Sequence, residues 1–180
     1  EIIVHAPKIK WHKVRSGRPR YMSKDEIHSL DVFFKKSEDP WVSKMMPHLC
    51  TIALNTGMRL GEILKITPED VHEMDGGTWV YLAATKNGDD RWVPLNKKAG
   101  AALVALDNKP ADKFTHRRFY NAWDVARSKI ARGDDTFVFH VLRHTAASTM
   151  ANELGVNTLL ISQMLGHRNV ATTAKYVHAK

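Results

Sequence analysis

Apolar residues recur at helical spacing along most of this chain and change to alternation in one short interval. Ser23-Lys24-Asp25-Glu26 is a capping box, and Ile27, Leu30, Val32, Phe33 and Phe34 supply the inward face of a first helix. Past a loop at Asp39-Pro40, Met45, Met46, Leu49, Ile52 and Ala53 mark a second helix over 42–56, which Gly57 ends. A short helix after Gly57 is broken at Thr67-Pro68, and the period then becomes two. Short strands are predicted near 71–74, 78–83 and 91–95, separated by Asp75-Gly76-Gly77 and by Asn87-Gly88, a strong hairpin signal. Helical spacing returns in a segment capped by Asn96 and ending near Leu106, and in a longer one over 115–130 that turns Phe119, Trp123 and Ile130 inward. The C-terminal part holds an Ala-rich helix over 141–154, a helix over 158–165 capped by Asn157 and closed by Gly166, and a short helix opened by Asn169. The class is α+β, mainly α-helical with a small three-stranded antiparallel sheet.

The composition narrows the setting. A chain of 180 residues fits one domain with an additional arm. Lys and Arg outnumber Asp and Glu by 27 to 19, a formal charge of +8 that points to a polyanionic partner. Residues 1–20 hold Lys8, Lys10, Lys13, Arg15, Arg18 and Arg20 among Pro7, Gly17 and Pro19, without helical periodicity; they read as a basic linker, with Ile9 and Trp11 available to dock it. The polar face of the 115–130 helix, with Arg117 and Arg118, is a second candidate surface for such a partner, a solvated charged face being the alternative. The single Cys50 excludes a disulfide framework and fits a reducing compartment. No apolar run approaches the roughly 18 residues of a membrane span, and no signal peptide is visible. The first residue is Glu1 and not Met, so a preceding segment of a longer protein is expected.

Four places carry chemistry. His140 and Arg143 lie three apart on one helix face, His167 follows Gly166 at a sharp corner, and Tyr176 ends a helix short enough to fold back toward them. Gly57 permits a turn that delivers Arg59 to the start of a short helix, where backbone N–H groups favour an anion; Glu62, three residues on, is placed to orient it. Lys86 stands at the mouth of the hairpin. Each feature alone has an ordinary explanation as a solvated helix face, a half-buried tyrosine or a solubilising lysine; the combination is what points to a site. His140 and His144 have metal-ligand spacing, but Val-Leu-Arg lies between them in place of the Glu of a zinc protease motif, and no acidic cluster accompanies them. Neither a Walker loop nor a dinucleotide fingerprint occurs, so neither a metal nor a cofactor is expected.

HVLRH, LGH and a tyrosine nine positions after that histidine, within GHRNVATTAKYVH, resemble the C-terminal motifs of the tyrosine recombinases, the phage integrase family. TGMRLGEIL is similar to that family's first arginine box, and Thr85-Lys86-Asn87 before Arg91-Trp92-Val93-Pro94-Leu95 to its lysine hairpin; the likeness runs over about 21–178. It implies a catalytic domain over 21–180, joined through residues 1–20 to an N-terminal DNA-binding domain. It also implies a site made of Arg59, Lys86, His140, Arg143, His167 and the nucleophile Tyr176.

The chemistry would be cleavage and rejoining of double-stranded DNA through a covalent 3′-phosphotyrosyl bond. Arg59 and Arg143 would grip phosphate oxygens, Lys86 would protonate the 5′ oxygen, His140 would serve as base, and His167 would donate to a non-bridging oxygen. The setting the resemblance implies is a homotetramer on DNA, with host DNA-bending or directionality proteins, in the cytoplasm of a bacterium carrying a phage or prophage. The alternatives are a type IB topoisomerase-like relaxing enzyme and a non-catalytic DNA-binding regulator of the same fold.

Overall fold

The computed structural model of the chain describes residues 20–74, 76–83, 90–167 and 169–177. Helix α1 (Lys24–Lys35) opens on the expected capping box: Glu26 N–H donates to Ser23 Oγ at 3.1 Å, and Ser23 N–H to Glu26 Oε2 at 2.9 Å. Helix α2 (Pro40–Thr56) starts two residues earlier than the apolar spacing indicates. Asp39 accepts from Trp41 N–H, and Pro40 occupies the first turn, where no backbone donor is needed. Nine residues of α2 are buried, and it packs against α1 and against four later helices, so it is the axis of the domain.

Gly57 ends α2 with φ +70, and a Cβ added there would overlap Leu165 Cδ2. Both the backbone and the packing require glycine. Gly57→Ala should therefore cost about 2–4 kcal/mol, left-handed strain plus overpacking, read as a drop in denaturant midpoint at unchanged slope.

Helix α3 (Leu60–Ile63) is a single turn, and a 3₁₀ turn at Pro68–Asp70 leads into the sheet. Strands β1 (Val71–Met74), β2 (Gly77–Leu82) and β3 (Arg91–Pro94) pair antiparallel in the order β1-β2-β3. The register sets Val80 opposite Val93 and Leu82 opposite Arg91. Val80, Val93, Leu82 and Arg91 are all buried, whereas Trp92 turns outward against Tyr81 and His72. The expected Asn87-Gly88 turn and Lys86 lie outside the described residues, as do Lys8, Lys10 and Lys13.

Helix α4 (Lys97–Val104) stops short of Leu106, because the chain turns through positive φ at Asp107 and Asn108. Helix α5 (His116–Ile130) buries Phe119, Trp123 and Ala126. Helices α6 (His140–Asn152), α7 (Thr158–Leu165) and α8 (Val170–Val177) complete the fold, and Gly166 takes the left-handed conformation expected after α7.

Two apolar clusters flank α6, and this explains its Ala-rich sequence. Val141 and Leu142 join the main core built around α2, while Ala146, Ala147 and Met150 join a second cluster with Ile161, Leu165 and Tyr176. A helix with neighbours on opposite sides needs small residues for close approach. Among the described residues no helix is long and apolar enough to cross a membrane.

Arg20, the last residue of the expected basic linker, packs against the helical body. It pairs with Glu26 at 2.6 Å and Asp134 at 2.7 Å, and its guanidinium lies 4.8 Å from the Phe137 ring centroid.

Candidate active site

The centre of the site is one carboxylate surrounded by guanidinium groups. Glu62 Oε1 accepts from Arg59 Nη1 at 2.6 Å, and Glu62 Oε2 accepts from Arg59 N–H at 2.8 Å and from Arg91 Nη2 at 2.7 Å. Glu62 therefore caps the Arg59 N–H at the start of α3 from within and holds the Arg59 guanidinium beside it. Glu62 stays below the ordinary carboxylate range although burial works to raise it, because the hydrogen bonds from Arg91 and Arg59 outweigh desolvation.

Arg143 is 1 % exposed. Its Nη1 donates to the Gly57 carbonyl at 2.7 Å, and its Nη2 to the Leu165 carbonyl at 2.6 Å. Two helix C-termini thus present acceptors to one guanidinium, which joins the Arg59 turn to the His167 corner. Arg143 Nη1 also lies 3.9 Å from Glu62 Oε2. Burial, followed by the charge of Arg59, lowers the Arg143 pKa to about 10, so it keeps its charge at neutral pH.

His167 is fixed by its neighbours. Its Nε2 stands 3.0 Å from Arg143 Nη2, which has only protons to offer, so Nε2 is the acceptor. The ring proton then sits on Nδ1, 2.8 Å from Thr173 Oγ1. In this arrangement His167 braces Arg143 and presents no donor to a phosphate, unlike the role expected from sequence. Burial and then Arg143 push its imidazole down to about 4, in keeping with a neutral ring.

Tyr176, 3 % exposed, is held by the second apolar cluster, with Tyr21 packed edge-on at 6.4 Å between centroids. Its ring lies over His167 at 6.3 Å and an interplanar angle of 21°. The phenol oxygen meets His144 Nδ1 at 2.8 Å. The histidine on the nucleophile candidate is therefore His144 and not His140, whose ring contacts that of His144 at 4.8 Å. Burial raises the Tyr176 phenol and lowers His144, so both are neutral in the resting site.

His140 borders a cleft of about 240 Å³ with Arg59 and Arg143 at its polar end and Phe119, Tyr120 and Phe139 along its apolar wall. Desolvation, then His144, Arg143 and Arg59, push the His140 ring down to about 4. Among the described residues, with the imidazoles neutral, Arg59, Arg91 and Arg143 against Glu62 leave two positive charges uncompensated at this spot. That balance suits a phosphodiester gaining negative charge during attack.

The fold brings Arg59, His140, Arg143, His167 and Tyr176 into one region, while Lys86 lies outside the described residues. Arg118 is exposed on α5, pairs with the surface carboxylate of Asp39 and lies 5.2 Å from the Trp41 ring centroid. Arg117 is exposed on α5. Reading the sequence for site residues missed Arg91, Thr173 and the contact of His144. Strand parity could have found Arg91, since Val93 and Leu95 point inward; the i,i+4 relation to His140 could have found His144. Among the described residues no group of three or more His, Cys, Asp or Glu side chains could hold a metal ion.

Comparison with known proteins finds relatives in both sequence and fold. The chain is 33% identical over 172 residues to a shufflon-specific DNA recombinase of Escherichia coli, covering 93% of this chain and 42% of that protein. Its fold matches XerH site-specific recombinase bound to a palindromic difH substrate in a post-cleavage complex, with TM-score 0.70 and 20% identity over 90% of this chain and 50% of that one. The catalytic domain of bacteriophage HP1 integrase matches with TM-score 0.59 and 24% identity, covering 88% of this chain and 86% of that one. The chain spans about half the length of the curated relatives it matches. The model of the Phage integrase family matches residues 20–180, and the chain belongs to that family.

Proposed function

We propose that this chain is the catalytic domain of a site-specific DNA recombinase that breaks and rejoins double-stranded DNA through a 3′-phosphotyrosyl intermediate. The observation that carries the reading is the placement of the Tyr176 hydroxyl on a neutral histidine, beside a guanidinium cluster that carries excess positive charge. Tyr176 Oη forms a bond to phosphorus as the bond to the 5′ oxygen breaks. The phenol proton passes to His144, which replaces His140 in that role. Arg59, Arg143 and His140 face the phosphate, and Lys86 supplies the proton that the departing 5′ oxygen needs. A phosphotyrosyl ester keeps the energy of the broken bond, so a new 5′-hydroxyl reverses the step.

The test is incubation with a nicked duplex carrying the protein's own recombination site. The expected product is protein on a 3′ phosphate with a free 5′-hydroxyl; attachment at a 5′ phosphate, or none at all, rejects the reading. Exchange between two sites separates it from the topoisomerase alternative. The full set of Arg59, Lys86, His140, Arg143, His167 and Tyr176 counts against a regulator without activity.

The finer reading is a phage- or prophage-encoded integrase at work in a bacterial cytoplasm, as a homotetramer with host DNA-bending or directionality proteins. It is supported by the family's name and the likeness to HP1 integrase. Residues 1–20 would form the basic arm leading into a domain over 21–180. Replacing Lys8, Lys10 and Lys13 with Ala should then flatten the slope of log K against log salt; an unchanged slope removes the arm from the interface.

Lys86→Ala should cleave ordinary DNA slowly and regain most of its rate when the bridging 5′ oxygen is sulfur, because a thiolate leaves without a proton. Equal losses on both substrates would make Lys86 a phosphate clamp only.

A further inference from the structure

We propose that Arg91 is a positioning residue of this site, the tie that sets the Arg59 turn and the His167 corner against strand β3 so that they move as one unit. The inference rests on the recombinase reading above. Side chains on a strand alternate, so Arg91 points inward with Val93 while Trp92 points out. An inward residue in this position has an easy solution in an aliphatic side chain, which would bury without electrostatic cost. A buried guanidinium is costly unless its charge is used.

Three contacts show what Arg91 reaches. Nη2 donates to Glu62 Oε2 at 2.7 Å, and Nε donates to the Met164 carbonyl at 2.7 Å. Among the described residues Nη1 is buried without a hydrogen-bond partner, and it lies against Gly166, where an added Cβ would stand 2.8 Å away. Gly166 is thus required twice, by its φ of +66 and by the guanidinium beneath it. One side chain therefore touches the carboxylate that holds Arg59, the last turn of α7, and the glycine before His167. No sequence-adjacent pair spans these three places.

The consequence runs through Glu62. Among the described residues it is faced by Arg59 from the start of α3, Arg91 from β3 and Arg143 from α6 at 3.9 Å, with His140 of α6 also within electrostatic reach. From α7 the Met164 backbone carbonyl reaches Arg91. Without Arg91, burial of Glu62 would be opposed only by Arg59 and the more distant Arg143, so its carboxyl would titrate higher, and a protonated carboxyl would lose its grip on one of its two Arg59 donors. The aim of Arg59 would become conditional on pH. With Arg91 present it is not.

Single-turnover adduct formation on the nicked duplex is measured from about pH 6 to about pH 9 for the wild type, Arg91→Met, Arg91→Lys, Glu62→Gln and the Met–Gln double variant. The readout is each variant's rate divided by the wild-type rate at the same pH, which removes titrations common to both. For Arg91→Met this ratio should fall about tenfold per pH unit below a new midpoint, a limb that disappears when Glu62 is also Gln. Arg91→Lys keeps the charge but cannot bridge to both Glu62 and Met164, so its ratio should be low and flat. A folded Arg91→Met with a flat ratio overturns the proposal, because a purely packing role leaves no such limb. Should Arg91→Met fail to fold by circular dichroism, Arg91→Lys decides: a reduced, flat ratio supports the tie and a wild-type rate overturns it. Absence of any adduct from the wild type instead overturns the recombinase reading, and this inference with it.

Discussion

Tyr176→Phe should fold and bind DNA as the wild type does, yet form no covalent complex. The ring is held by packing, since Tyr176 shares its cluster with Ala146, Ala147, Met150, Ile161 and Leu165, and phenylalanine preserves all of that surface. The substitution removes one hydroxyl and its contact with His144, worth about 0.5–1.5 kcal/mol, so the thermal midpoint should move by only a few degrees. On the nicked duplex the loss should be complete, because none of the neighbouring side chains can replace an oxygen nucleophile held in that place. Chelation with EDTA should leave the wild-type rate unchanged, as guanidinium charge serves the phosphate in this reading. A denaturing gel on which the Tyr176→Phe variant is still linked to DNA would transfer the nucleophile's role to another residue.

Arg143→Ala should lower the cleavage rate by about 100-fold or more, the scale on which loss of one preorganised donor is felt. It should also destabilise the fold, unlike the tyrosine change. Truncation leaves the Gly57 and Leu165 carbonyls without their donor, takes a brace from His167, and opens a void between the two apolar clusters. Breaking a buried charged network of this kind costs about 3–5 kcal/mol. The two effects separate if cleavage is measured in single turnover at a temperature where the variant remains folded by circular dichroism. Arg143→Lys should recover part of the stability and little of the rate, because one ammonium cannot span two carbonyls and a phosphate in fixed directions. A near wild-type rate for folded Arg143→Ala would reduce Arg143 to a structural brace.

What the amino-acid order determined by itself is local. The capping box at Ser23, the left-handed turns at Gly57 and Gly166, the cap at Asn157 and the alternation through β2 and β3 depend on neighbours a few residues away, and they stand where the periodicity and caps indicate. The spacing of HVLRH, LGH and Tyr176 was legible for the same reason, with family likeness supplying the meaning. The tertiary structure decided the use of each charged group. Arg143 is spent on a carbonyl 86 residues away in sequence, and Arg91 on one 73 residues away. Arg118 was legible as a cation on a helix face, but only the tertiary approach of Asp39 and Trp41 gives it those partners. Likewise His140 and His144 share a face of α6, and the angle at which α8 returns selects His144 for Tyr176. A side chain's type and its side of a helix are properties of the local sequence. Which partner waits there depends on how distant elements pack, because burial turns an unpaired charge or carbonyl into a cost that only the assembled fold can remove.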